Sequence, residues 1–185
     1  MDDWIWIAVV VVVVVVALVV WSVSRKRRSD ALRNRFGPEY DHVLTETGDR
    51  KVAESDLKGR LERRDELDIR ALPPATADRY RAEWRDVQAR FVDAPEEALT
   101  RADGLITSVM RARGYPMDDF EQRSADVSVD HAEVVEDYRA AHAISLANDH
   151  GKATTEDLRQ GMVHYRSLFE QMLESDERST SGENR

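Results

Sequence analysis

The sequence predicts an all-α protein, with one amino-terminal transmembrane helix followed by a compact soluble bundle of about six helices. Three observations carry that prediction. An uncharged apolar run occupies residues 4–23. Beyond it, apolar side chains recur at helical spacing in several stretches. No stretch alternates polar and apolar residues for long enough to mark a strand.

Between Asp3 and Arg25 there is no charge, and eight consecutive valines run from Val9 to Val16. Twenty apolar residues in a helix span about 30 Å, the thickness of a bilayer's hydrocarbon core. In lipid every unpaired backbone group costs several kcal/mol, so an isolated segment is restricted to helix. Trp4, Trp6 and Trp21 sit at the two ends, where indole rings favour the interface. A cleaved signal peptide would instead start basic and end in a small-x-small site after a shorter core. Here Asp2 and Asp3 precede the run, and Trp21-Ser22-Val23-Ser24 leads into Arg25, Lys26, Arg27 and Arg28. Ala8, Ala17 and Ser22 form no small-xxx-small pair, so the span reads as a tether without a packing motif.

Positive charge after the span places the rest of the chain in the cytoplasm. The expected organisation is an extracytoplasmic stub at 1–3, a plasma-membrane span at 4–23 and a basic juxtamembrane segment at 24–35. A helical cytoplasmic domain at 36–175 and a disordered tail at 176–185, rich in Ser, Glu, Gly and Asn, complete it. The basic cluster Arg25, Lys26, Arg27 and Arg28 has two readings, a topology determinant and a contact with anionic lipid.

Phe36-Gly37-Pro38 should break the helix leaving the membrane, because glycine ends helices and proline suits the first position of the next. A short helix follows from about Pro38 to Thr47. After the Gly48-Asp49 turn comes a charged helix from Arg50 to Leu67, with Val52, Leu57, Leu61 and Leu67 as sparse apolar positions. Residues 69–74 should be extended ahead of two prolines. Tyr80, Trp84, Val87 and Phe91 make one amphipathic stripe, read as core before partner groove. Asp93-Ala94-Pro95-Glu96-Glu97 reads as an N-cap and acidic first turn, opening a helix that buries Ala98, Ala102, Leu105, Ile106, Val109 and Met110 and stops at Gly114-Tyr115-Pro116. A short helix is expected at 118–125. Ser128 or Asp130 should then cap a long helix to about Asn148, carrying Val134, Val135, Tyr138, His142 and Ser145 on one side. Thr155 should cap the last helix, with Leu158, Met162, Tyr165, Leu168, Phe169, Met172 and Leu173 inward.

Composition narrows function. There is no cysteine, which removes disulfides, thiolate metal sites and a cysteine nucleophile. Without Asp2, Asp3 and the basic cluster, the chain carries 23 positive and 34 negative side chains, about −11. Nucleic-acid binding draws on concentrated basic surface, so none is expected. The Arg60–Arg64 stretch, interleaved with Glu62, Asp65 and Glu66, reads as a salt-bridged helix face. His131 and His142 lie eleven residues apart on the expected long helix, but no pair has the i, i+3 or i+4 spacing of a helical zinc site, so no metal is expected. His164 precedes Tyr165 on the last helix, and His42 and His150 are expected to face solvent. No GxSxG and no phosphate-binding glycine loop occurs, and the acidic pairs fit helix starts.

At RFGPEY (35–40), VMRARGYP (109–116), SVDHAEVVEDYRAAH (128–142) and DLRQGMVHYRSLF (157–169), the chain resembles a family of uncharacterised bacterial membrane proteins, mostly actinobacterial. The resemblance runs from Leu32 to Leu173. It implies an amino-terminal anchor with a helical region, and no activity, cofactor or catalytic residue comes with it.

The expected function is a membrane-tethered helical interaction or adaptor module with a protein partner at the inner face of the plasma membrane. Neither catalysis nor a cofactor is expected. The alternative is a small-ligand sensor or enzyme with a pocket between the last two long helices, near His131, Tyr138, His142 and Tyr165.

Overall fold

The structure, a computed structural model, describes the backbone of residues 3–182; the side chains of residues 3–12, Val14, Trp21, Arg25 and 175–182 are outside the described set. The all-α class holds, with helices and no strand among the described residues. In chain order the helices are α1 (Asp3–Phe36), α2 (Pro38–Thr47), α3 (Arg50–Glu66), α4 (Pro74–Arg90), α5 (Pro95–Arg113), α6 (Phe120–Asp130), α7 (Val135–Asp149) and α8 (Thr155–Gly182). The chain divides into two compact units, Met1–Leu57 and Lys58–Arg185, with the division inside α3.

In the first unit the apolar run and the basic segment form one uninterrupted helix of 34 residues. Nothing in residues 24–35 breaks it. The stop comes at Gly37, whose φ of 48° a side chain would disfavour, followed by Pro38 at the first position of α2. Helix α2 packs against α1 and ends on left-handed Gly48. Phe36, Tyr40, Val43, Ala53 and Leu57 are buried, while Val52 is exposed. Along α1 the pattern inverts: Val13, Val15, Val16, Leu18, Val19, Val20 and Val23 are 46–60% exposed. The expected span at 4–23 falls largely on side chains outside the described set, and among the described residues no helix is long and apolar enough to cross a membrane.

In the second unit α5 contacts α4, α7 and α8, α8 also contacts α7, and α6 lies on α7. Leu99, Ala102, Ile106, Val109 and Met110 are fully buried on α5, facing a core that includes Leu158, Tyr165, Leu168 and Met172 of α8. Trp84 of α4 stacks on Phe169 of α8, with ring centroids 5.0 Å apart. Tyr80, Trp84 and Val87 are buried and Phe91 packs at the edge, so the aromatic stripe is core.

Local chemistry differs from the expected caps at three points. Asp93 does not cap α5; Ala94 holds that position and, having no polar side-chain atom, makes no cap bond, with Pro95 in the first turn. Thr154, not Thr155, caps α8: its hydroxyl accepts from the Asp157 N–H at 3.2 Å while its own N–H donates to the Asp157 carboxylate at 2.8 Å. The long helix expected from Ser128 is two helices. Asp119 caps α6 by accepting from the Gln122 N–H at 2.8 Å, so α6 starts later than 118 and runs on to Asp130. Ser128 spends its hydroxyl on the Ala125 carbonyl at 2.7 Å, and α7 begins only at Val135. His131 and His142 therefore do not share a helix. At the carboxy end α8 continues to Gly182, past the expected boundary at 175, and residues 183–185 of the expected tail lie outside the described residues.

Two glycines have tertiary causes. Gly114 ends α5 with φ 97°, and a side chain there would run into the carbonyl oxygen of Asp68, in the extended segment whose Arg70 N–H bonds the Arg113 carbonyl at 2.9 Å. Gly161, inside α8, sits where an added methyl would lie 2.8 Å from Leu99 Cδ1 and 3.1 Å from Ile144 Cγ2. Gly104, inside α5, has nothing within 4 Å of that position. In urea unfolding of the full chain, Gly161→Ala is expected to lower stability by about 1–3 kcal/mol through overpacking. Gly104→Ala should raise it by about 0.5–1 kcal/mol, the ordinary helix-interior gain. Equal effects at both positions would contradict the packing described for α8.

Candidate functional site

The basic cluster lies on α1 just past the apolar run; Lys26, Arg27 and Arg28 are exposed, and Arg25 is outside the described side chains. One turn further on the surface stops being featureless. Ser29 of α1 and Tyr40 of α2 are 4% and 3% exposed, and their hydroxyls meet at 3.3 Å. Tyr40 also donates to Glu54 Oε1 of α3 at 3.0 Å. Arg50 donates to the same carboxylate through Nε at 2.7 Å and reaches Ser29 Oγ through Nη2. On the other side Arg33 donates to Asp41 at 2.8 Å, with its guanidinium 5.1 Å from the centroid of the Tyr40 ring. One polar network thus ties three helices together. Burial opposes ionisation of Glu54, but hydrogen bonds from Arg50, Ser29 and Tyr40 outweigh it and hold the carboxyl below the usual range.

This network forms the wall of a cleft of about 540 Å³ lined by Ser22, Lys26, Ser29, Asp30, Arg33, Tyr40, Leu44 and Arg50. Of the three predicted site residues whose side chains are described, Lys26 lines it and Arg27 and Arg28 do not. Ser29 and Arg33 were missed although they continue the α1 stripe of Ser22 and Lys26 at i, i+4, i+7 and i+11. Tyr40 and Arg50 were missed because they come from α2 and α3, 11 and 21 positions from Ser29. The available signal was the Phe36-Gly37-Pro38 break, which folds α2 back on α1 and brings Tyr40 to Ser29.

Of the residues expected to line a pocket between the last two long helices, His131, Tyr138 and Tyr165 are buried and His142 is partly buried. Tyr165 donates to Asp103 Oδ1 at 2.5 Å, and burial first, then that carboxylate, raises its pKa. Tyr138 is 1% exposed, its pKa raised by burial despite the lowering influence of Arg123. His142 is half-buried under the Phe120 ring, stacked at 3.7 Å, and burial lowers its pKa. Clefts lined by Arg81, Trp84 and Phe169, by Glu83, Val87 and Arg101, and by Lys26, Tyr40 and Arg50 leave these four residues out. His164 pairs with Asp137 at 2.8 Å and His42 lies 3.5 Å from Glu46, while His150 is exposed. Among the described residues no three His, Asp or Glu side chains come together as a metal-binding group.

The Arg60–Arg64 stretch does something other than the expected face of local ion pairs. Arg63 reaches across to α6, donating to buried Asp126 at 2.9 Å and to Asp118 at 2.6 Å. Arg64 donates to Asp130 at 2.5 Å and Arg60 to Ser128 at 3.1 Å. Asp130 also accepts from Tyr115 at 3.2 Å, and next to it His131 is 3% exposed. Neither imidazole nitrogen of His131 has a hydrogen-bond partner among the described residues.

No family model, curated protein or solved structure matches this chain.

Burial, followed by the nearby positive charge of Arg113, holds His131 down at about 4, against 6.5 for a free imidazole. The unfolded chain then binds a proton between those values and the folded chain does not. Stability should be flat above about pH 6.5, fall by about 3 kcal/mol as pH drops to about 4, and level off below. Chemical unfolding across that range in the full chain and in His131→Met checks this. The variant should lose that component of the slope and be at least as stable at neutral pH, since an unsatisfied buried polar group costs about 1–3 kcal/mol. An unchanged slope would remove His131 as its source.

Proposed function

We propose that the chain is a membrane-tethered helical interaction module, held by residues 4–23 at the inner face of the plasma membrane. The observation that supports this reading best is the exposure of Val13, Val15, Val16, Leu18, Val19, Val20 and Val23 on one continuous helix, 46–60% each. Burying a large apolar side chain contributes about 1.5–3 kcal/mol, and contiguous exposed apolar surface marks a contact with another apolar phase. Lipid supplies that phase on all sides of a lone helix, which a packed protein partner does not. The polar residues just beyond, Lys26, Arg27 and Arg28, match the cytoplasmic flank of such a span.

The interaction half of the reading rests on charge. Beyond residue 28 the chain carries about −11, which repels it from an anionic inner leaflet. A domain held at the membrane yet pushed off its surface presents its helices to the cytosol, where a protein partner can reach them.

Because the sequence has no cysteine, a Lys152→Cys variant carries a single thiol at an exposed turn between α7 and α8. In intact cells that thiol should stay unlabelled by a membrane-impermeant maleimide and react once the cells are permeabilised; labelling from outside would reverse the orientation. Photo-crosslinking from the exposed Lys152 turn should trap one protein in the full chain and much less of it in a chain lacking residues 1–28. Equal yields would remove the tether from the function.

A further inference from the structure

We propose that the cleft formed by α1, α2 and α3 binds the phosphate of an anionic phospholipid headgroup, with Lys26, Arg33 and Arg50 supplying the positive charge. The proposal rests on the reading of residues 4–23 as a membrane span. Lys26 follows Val23 by three residues, about 4.5 Å along a helix, and Ser29 by six, about 9 Å. The headgroup layer extends about 5–8 Å beyond the hydrocarbon on each side. The mouth of the cleft therefore lies at the depth of the lipid phosphates, next to the chain that would carry it there.

The chemistry of the lining fits a phosphate ester. Arg33 and Arg50 each have five N–H donors, and the contacts to Asp41, Glu54 and Ser29 leave several of them unspent. Those same contacts hold both guanidinium groups in place, which lowers the ordering cost of a ligand. Tyr40 and Ser29 are almost fully buried, so the wall behind the ligand is built and does not depend on flexible surface chains. Ser22 and Leu44 complete a less polar side for the glycerol portion.

Charge decides between lipid and free phosphate. Asp30, Asp41 and Glu54 balance Lys26, Arg33 and Arg50, so the cleft has little net attraction for an anion diffusing in water. A phospholipid needs none, because the span holds it within reach at the concentration of the bilayer, and Arg27 and Arg28 bias the surrounding leaflet toward anionic species. The occupant is therefore a lipid, not a soluble ion.

The test uses the full chain reconstituted in phosphatidylcholine nanodiscs containing a minor fraction of phosphatidylglycerol, with retained lipids counted by native mass spectrometry. Wild type should retain phosphatidylglycerol well above its share of the bilayer. Lys26→Gln, an exposed change with no fold contact among the described residues, should cut that enrichment about fivefold. Arg27→Gln, adjacent but outside the cleft, should leave it within about twofold. Equal losses in the two variants would mean diffuse surface attraction and overturn the site. Displacement by excess inorganic phosphate would overturn the lipid assignment. Carbonate extraction of the same proteins from cell membranes separates the two readings. A chain released by carbonate sinks the span and the site with it, whereas a retained chain without phosphatidylglycerol enrichment sinks the site alone.

Discussion

At Gly161 of α8 the absent side chain admits Leu99 of α5 and Ile144 of α7. That contact organises the carboxy-terminal unit. With α5 seated, Ile106, Val109 and Met110 are excluded from water, and Tyr165, Leu168 and Met172 close over them. Each such side chain contributes about 1.5–3 kcal/mol on burial, so the face as a whole outweighs any single polar contact in the unit. The positions of α4 and α7 depend on it: Trp84 lies flat on Phe169, and Tyr138 and Ala141 fill the space beside Tyr165.

Polar contacts then select one arrangement among those that apolar burial alone would tolerate. Arg113, almost buried, donates to the Met172 carbonyl at 2.5 Å and so fixes the end of α5 on α8. Arg60, Arg63 and Arg64 clamp the end of α3 to α6 through Ser128, Asp126 and Asp130. Arg63 remains partly exposed, which limits the strength of its pairs, but Asp126 is buried and would be costly without a donor. The amino-terminal unit uses the same device on a smaller scale, with Ser29, Tyr40, Arg50 and Glu54 joining three helices by hydrogen bonds. Among the described residues of that unit, Phe36, Tyr40, Val43, Ala53 and Leu57 are the buried apolar side chains that pack beside those bonds.

Most of the helical frame was legible because its signals are local. Gly37, Gly48 and Gly114 adopt positive φ where the sequence placed stops, and Pro38, Pro74 and Pro95 stand in first turns. The apolar stripe of α5 appeared where its spacing put it. The failure at 128–134 has an equally local cause: Ser and Asp can cap a helix or bond backward into the one before, and Ser128 does the latter. That choice moved His131 out of a helix face and into a buried position. The cleft beside Lys26 was only half legible: Ser22, Lys26, Ser29 and Arg33 form one stripe on α1, but Tyr40 and Arg50 reach it from α2 and α3, and no period links them to that stripe.

The amino-acid sequence by itself determined the helical class, the helix boundaries set by glycine and proline, and an apolar run ending in four basic residues. These come from backbone sterics, side-chain period and solvation, each of which acts within a few residues. Tertiary structure decided which charges meet. It sent Arg63 to Asp126, closed the Tyr165–Asp103 pair inside the core, and set Arg33 and Arg50 around the hydroxyls of Ser29 and Tyr40. A charge has no periodicity that reveals its partner, and the partner is settled only once apolar packing has brought distant helices together.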